Sequence, residues 1–163
     1  MARIDLDNIA HSYNPAAADP VYALRKFSLT WNDGGRYAIL GPSGCGKTTM
    51  LNIMSGIVTP SEGRIRFDGE DVTQSKTANR NIAQVFQFPV IYNTMSVGDN
   101  LSFPLVCRNV DRAVITRKVQ EVAETLSLEH LLEMPANGLT ADQKQLISLG
   151  RGLVRDDVAA VLM

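Results

Sequence analysis

The sequence predicts an α/β fold, and three observations carry that expectation. The stretch GPSGCGKTT, Gly41 to Thr49, has the form G-x-x-x-x-G-K-[ST], with Gly41, Gly46, Lys47 and Thr48 in the fixed places. Arg36 to Leu40 before it read as a short buried strand, and Met50, Leu51, Ile53, Met54 and Ile57 after it fall at helical spacing. Ile82 to Phe86 and Val158 to Met163 read as further apolar strands, with amphipathic helical patterns between them.

Strand, glycine loop and helix together suit the binding of phosphate. The glycines let consecutive backbone N–H groups turn inward around phosphate oxygens, where a side chain would obstruct the approach. Lys47 supplies a point charge and the Thr48 hydroxyl a ligand for Mg²⁺. The new helix also directs its positive end at the same place. A glycine-rich turn without a ligand would explain the glycines but not this flanking pattern.

Composition narrows the function classes. The chain has 163 residues, enough for one domain, and 45% hydrophobic content, enough for a core. Lys and Arg number 16 against 17 Asp and Glu, a formal net charge of -1, so no broad basic face for nucleic acid is expected. No apolar run reaches the roughly 18 residues of a membrane span, and Met1 opens no signal-peptide pattern, so a cytoplasmic location is expected. Cys45 and Cys107 lack metal-ligand spacing and read as free thiols. His11 and His130 are isolated and read as surface or packing residues.

Taken in order, Arg3 to Ile9 alternates imperfectly through Ile4, Leu6 and Ile9 and suggests an outer strand. Asn14 to Pro20 reads as a loop, Tyr22 to Trp31 as a second strand and Asn32 to Gly35 as a turn. An antiparallel β layer ahead of the glycine loop is the result. Beyond the loop helix, Thr59 to Gly63 make a turn and Arg64 to Phe67 a strand, closed by the hairpin signal Asp68-Gly69. Glu70 and Asp71 read as part of that solvated turn.

Phe88 to Thr94 is loop, and a helix starts near Ser96 with Val97, Asn100, Leu101 and Pro104. A clearer helix opens at Asp111 and carries Ile115, Val119, Val122, Ala123 and Leu126 on one face. Leu128 to Met134 predicts a short helix ended by Pro135 and Asn137-Gly138. Thr140 and Gln143 form a capping-box pattern for one more helix, with Leu146, Leu149 and Leu153 as its expected buried stripe. The Asp156-Asp157 turn then leads into Val158 to Met163.

Over nearly its whole length the sequence resembles the ATPase subunits of ABC transporters. GPSGCGKTT is similar to that family's Walker A segment, and VFQ, Val85 to Gln87, to its Q-loop. NGLTADQKQLISLGRGLVR, Asn137 to Arg155, is similar to the signature helix, which usually opens LSGGQ, and Val158 to Met163 to a Walker B strand cut before its acidic residues. The resemblance implies a P-loop NTPase of ABC type, with an antiparallel β layer, an incomplete parallel-sheet core and a helical subdomain. Residues 1–163 would form an incomplete nucleotide-binding domain. Its parts would be 1–95, the β layer and P-loop core; 96–139, the helical subdomain; and 140–163, the signature helix and the start of Walker B.

The resemblance also implies roles. Tyr13 would stack on adenine, a surface-turn Tyr being the plain alternative. Gly41, Pro42, Ser43, Gly44, Cys45 and Gly46 would wrap ATP, Lys47 would contact the β- and γ-phosphates, Thr48 Mg²⁺ and Thr49 a neighbouring oxygen. Gln87 would sense Mg²⁺ and the attacking water, and the Phe88–Phe103 region would touch a transmembrane permease subunit. The chain looks most similar to the ATPases of sugar and polyol importers, glycerol-type systems in particular. It would then sit on the inner face of the cell membrane through its partners.

Three departures bear on that implied role. Leu139, Thr140, Ala141, Asp142 and Gln143 stand where LSGGQ is usual, so both glycines are lost and a carboxylate is placed near an expected γ-phosphate. That suggests an altered composite site and a second, non-identical ATPase subunit. The Walker B Asp and the catalytic Glu that the family would place next are absent from the 163 residues, and so are the later D-loop and switch histidine. These residues alone are therefore expected to hydrolyse ATP negligibly.

Two other readings stand beside this one. A soluble P-loop kinase or phosphotransferase would share the loop but gives no reason for VFQ or the capped Thr140 helix. A non-transport ABC-type regulatory ATPase would keep all the motifs.

Overall fold

The computed structural model describes all residues, Met1 to Met163, as two compact units, Met1–Ile82 and Ala83–Met163. The first unit is a four-stranded antiparallel sheet with one helix. Strand β1 (Ile4–Ser12) lies between β2 (Tyr22–Trp31) and β3 (Glu62–Phe67), and β4 (Glu70–Asp71) is the far edge. The expected outer strand is therefore an inner one.

A bulge explains its imperfect alternation. Register slips between Leu6 and Ile9, where Asn8 takes φ 51°, a left-handed conformation that Asn tolerates. The Ser28 hydroxyl accepts from the Asn8 N–H at 2.9 Å, and the extra residue returns Ile9 to the same buried side as Leu6. Glu70 and Asp71, read as a turn, instead pair with Phe67 and Arg66.

Residues 36–40 are not a buried strand. No strand pairs with them, and Tyr37 and Leu40 are exposed. The chain turns because Tyr37 stacks on Trp31, rings 5.3 Å apart, while its hydroxyl accepts from the Asn32 N–H at 2.9 Å. Helix α1 (Lys47–Ser55) follows the glycine loop and buries Met50, Ile53 and Met54 at i, i+3 and i+4. Each such burial is worth roughly 1.5–3 kcal/mol. Ile57, expected on that face, lies past the Gly56 cap and is exposed.

A two-stranded sheet, β5 (Ile82–Gln84) with β6 (Ala160–Leu162), belongs to the second unit from Ala83 on, together with three helices, α2 (Val97–Val106), α3 (Arg112–Leu126) and α4 (Ala141–Leu153). Both strands are shorter than the sequence suggested, although the Val85 N–H still donates to the Leu162 carbonyl at 2.8 Å. The expected helix at Leu128–Met134 is a single 3-10 turn, Glu129–Leu131. Ser96 caps α2 in a box with Asp99, Asp111 caps α3 and Thr140 caps α4 with Gln143.

The buried face of α4 is displaced from the expected one. Leu146 and Leu153 are exposed and Leu149 only half-buried, whereas Ile147, Gly150 and Val154 are fully buried. Packing requires this because a Cβ on Gly150 would fall 2.5 Å from Leu101 Cδ2 and 3.1 Å from Leu126 Cδ1. With glycine there α4 can approach α2 and α3 closely without displacing those leucine side chains. Val97, Leu101, Val122, Ala123, Leu128 and Ile147 complete that core.

Candidate functional site

The glycine loop is shaped by three constraints. Gly44 and Gly46 have φ 79° and 94°, which favours glycine at both. At Gly46 space also forbids a side chain, since a Cβ would lie 2.5 Å from the Ala23 carbonyl oxygen and 2.6 Å from Leu24 Cδ2. The turn is closed by the Cys45 N–H donating to the Pro42 carbonyl at 3.3 Å.

Helix α1 begins directly from this turn. Gly46 is its N-cap and offers no side-chain acceptor, so the donors of the first turn, at Lys47, Thr48 and Thr49, have no side-chain cap. Met50 makes the first helical bond, N–H to the Gly46 carbonyl at 2.9 Å. Uncapped N–H groups and the positive end of the helix favour an anion here.

Lys47 reaches back across the loop. Its Nζ donates to the carbonyls of Gly41 and Pro42, both at 2.9 Å, and stands 3.7 Å from Cys45 Sγ. The cation is thereby held at the loop rather than free in solvent. Thr48 is exposed, while Thr49 is buried at 8% and its hydroxyl is 3.1 Å from the Tyr13 hydroxyl. Tyr13 itself is 65% exposed, with its ring edge-on to His11 at 4.6 Å. Tyr13 and the 41–49 loop, far apart in the chain, thus form one cluster. His11 takes the packing role, buried with its Nδ1 3.3 Å from the Ser61 hydroxyl.

A residue that sequence reasoning passed over holds the other end of α1. Arg80 is 2% exposed and donates to the carbonyls of Ile53 (2.8 Å), Met54 (3.1 Å), Thr73 (2.9 Å) and Ser75 (3.1 Å). Burial pushes its guanidinium below the usual value, against the opposing pull of the Asp71 carboxylate, yet an Arg stays charged. A cation at the negative end of the helix is the favourable arrangement. Its only sequence signal is a charged residue amid a polar turn, which says nothing of burial.

Gln87 belongs to the second unit, exposed in the segment after β5. That segment is tied to α4. Gln145 Nε2 donates to the Phe86 carbonyl at 3.0 Å, Arg151 Nη1 to the Val90 carbonyl at 2.8 Å, and the Arg151 guanidinium lies 4.6 Å over the Tyr92 ring. Asn100, fully buried, pairs with both the N–H and carbonyl of Tyr92 at 2.8 and 2.9 Å. Thr140 and Gln143 bond each other's backbone N–H groups at 3.3 and 3.0 Å, with Ala141 and Asp142 exposed between them.

A glycine loop, a lysine across it and an uncapped helix start define a phosphate-loop protein of α/β class. A model of the ABC transporter family matches residues 24–162. The chain belongs to that family. It is 39% identical over 162 residues to the trehalose import ATP-binding protein SugC of Mycobacterium tuberculosis, covering 99% of this chain and 40% of that protein. It is 38% identical over 159 residues to the sn-glycerol-3-phosphate import ATP-binding protein UgpC 1 of Rhizobium etli, covering 98% and 44%. The molybdate/tungstate import ATP-binding protein WtpC of Pyrococcus horikoshii is 39% identical over 133 residues, 82% of this chain and 39% of that one.

The chain therefore spans less than half the length of these relatives. Among solved structures, an ATP-binding cassette of an ABC transporter in its ADP conformation superposes with TM-score 0.74 and 26% identity, covering 94% of this chain and 65% of that one. The cbiO1 protein of Clostridium perfringens, part of the ABC transporter complex cbiONQ, gives TM-score 0.79 and 28% identity over 93% and 61%. The ABC-type P-loop fold is the one the sequence predicts. No helix is long and apolar enough to cross a membrane.

Proposed function

We propose that this chain is the nucleotide-binding portion of an ATP-driven importer subunit, with carbohydrate or polyol uptake as its substrate class. The observation that carries the reading is the uncapped start of α1, faced by Gly44, Gly46 and the Lys47 ammonium. The importer role is supported by the trehalose and glycerol-3-phosphate import proteins among its relatives.

In this reading Gly41 to Gly46 and the first turn of α1 hold the phosphates, Lys47 the β- and γ-phosphates, Thr49 a neighbouring oxygen, and Tyr13 stacks on adenine. The cradle fits such a group, since it admits no Cβ at Gly46 and has donors to give. Mg²⁺ fits as well. The chain has no cluster of three His, Cys, Asp or Glu, but Mg²⁺ commonly takes one or two protein oxygens together with phosphates and water, and the exposed Thr48 hydroxyl offers one. When bound, the ion would supply positive charge to the phosphate oxygens. Gln87 is assigned to that ion and to the attacking water.

Residues 1–95, 96–139 and 140–163 are assigned as core, helical subdomain and signature region of one nucleotide-binding domain. The Phe88–Phe103 region is the proposed seat of the permease subunit, which would keep the chain at the inner face of the membrane. Ala141 and Asp142 at the start of α4 support a second, non-identical ATPase subunit with a more usual signature. Co-purification of the assembled complex with only this ATPase, in two copies, would count against that pairing.

Titration with Mg-ATP tests the central reading. Saturable binding is expected, weakened at least about tenfold by Lys47→Ala, as the loss of a charge-assisted contact implies. Equal binding by both proteins would overturn it.

A further inference from the structure

We infer that the Tyr13 hydroxyl positions the Thr49 hydroxyl for phosphate, so that Tyr13 serves the phosphate half of the site as well as offering a face to a base. This rests on the nucleotide-binding reading above. Thr49 is the third residue of α1, inside the uncapped first turn, and its hydroxyl is 3.1 Å from the Tyr13 hydroxyl. A phenol is the more acidic of the two groups and the better donor, so Tyr13 donates and Thr49 accepts. The Thr49 proton is then left to donate elsewhere, and an accepted hydrogen bond strengthens the one donated.

Tyr13 is fixed for this task despite being 65% exposed. Its tip is held by Thr49, and its ring sits edge-on to His11 at 4.6 Å. His11 is in turn buried and anchored through its Nδ1, 3.3 Å from the Ser61 hydroxyl. A tyrosine needed only for its ring would have no use for that hydroxyl contact. Phenylalanine would serve a base equally well.

The probe is inorganic tripolyphosphate with Mg²⁺, which has phosphates but no base. In calorimetric titration Tyr13→Phe is expected to weaken tripolyphosphate binding roughly 3- to 10-fold, the effect of one net hydrogen bond. ATP affinity should fall by the same factor, because the ring is kept. In a Thr49→Val background, Tyr13→Phe should have no further effect, since the two hydroxyls act as one unit. The unfolding temperature of each ligand-free variant, measured alongside, separates this from a folding defect.

Unchanged or tighter tripolyphosphate binding by Tyr13→Phe would overturn the inference, as would equal losses in the parent and Thr49→Val backgrounds. If neither tripolyphosphate nor ATP binds the parent chain in a Lys47-dependent way, the nucleotide reading itself falls. Loss confined to ATP leaves that reading intact and removes only the hydroxyl role.

Discussion

The Gln145 side-chain amide donates to the Phe86 carbonyl at 3.0 Å, joining α4 to the segment after β5 across 59 residues of sequence. The backbone just before Gln87 is thereby given a fixed point. Gln145→Ala is expected to cost about 1 kcal/mol of stability, the net worth of one such bond. Hydrogen exchange of the Gln87 and Phe88 amides should speed up first, because Arg151 and Asn100 still hold the segment at Val90 and Tyr92. Unchanged exchange there would show that Arg151 and Asn100 suffice.

Gly46→Ala should fail twice over. Its φ of 94° and the Ala23 carbonyl 2.5 Å from a Cβ both oppose the new methyl group. A backbone penalty of about 1–3 kcal/mol is expected in urea unfolding, together with loss of Mg-ATP binding. Gly44→Ala shares the positive φ but meets nothing within 4 Å, so its defect should be the smaller.

Arg80→Met removes the donors from four carbonyls and should destabilise the first unit by about 3 kcal/mol or more. Arg80→Lys has three donors on a point charge and cannot span the same fork, so it should recover part of that loss only. Thermal unfolding of the two variants checks the order.

Stability should soften at acid pH. The Thr30 hydroxyl and then Arg3 hold the Asp5 carboxyl below its usual range, Lys26 and then Tyr22 do so for Glu62, and the Thr73 hydroxyl and N–H do so for Asp71. Each group has a lower pKa folded than unfolded. Its contribution is therefore full above the unfolded value of about 4 and is lost as pH falls through the folded one. Urea midpoints measured from neutral pH downward should hold steady and then drop below about pH 4. Glu62→Gln should flatten that drop, and salt should reduce it, since Asp71 is exposed and Glu62 and Asp5 are partly so.

What was legible in the sequence follows the range of the interactions. Thr140 with Gln143 and Asp111 at its helix start are local signals, and the structure reproduces both. The hairpin at Asp68-Gly69 and the bounds of β2 at Tyr22 and Trp31 are equally local. Residues 36–40 misled because an apolar run does not say whether neighbouring strands pair with it, and here Trp31 draws Tyr37 aside.

The α4 stripe misled for a related reason. Two apolar faces are available on that helix, and the tight approach at Gly150, not hydrophobicity, selects Ile147 and Val154 over Leu146 and Leu153. At the site, motif spacing alone brought out Gly41 to Thr49. The contact of Tyr13 with Thr49 and the Arg80 cluster depend on tertiary placement and have no local signature.

Arg80 gives α1 a keel. The helix is nine residues, about 13 Å, from glycine loop to clamp, so a tilt at Ile53 and Met54 is carried to Thr48 at the other end. Phosphate affinity can thus be inherited from residues that never meet a phosphate. Second-site suppressors of a weakened loop should accordingly map to 73–80, where the clamp is built, on the side of the helix away from the ligand.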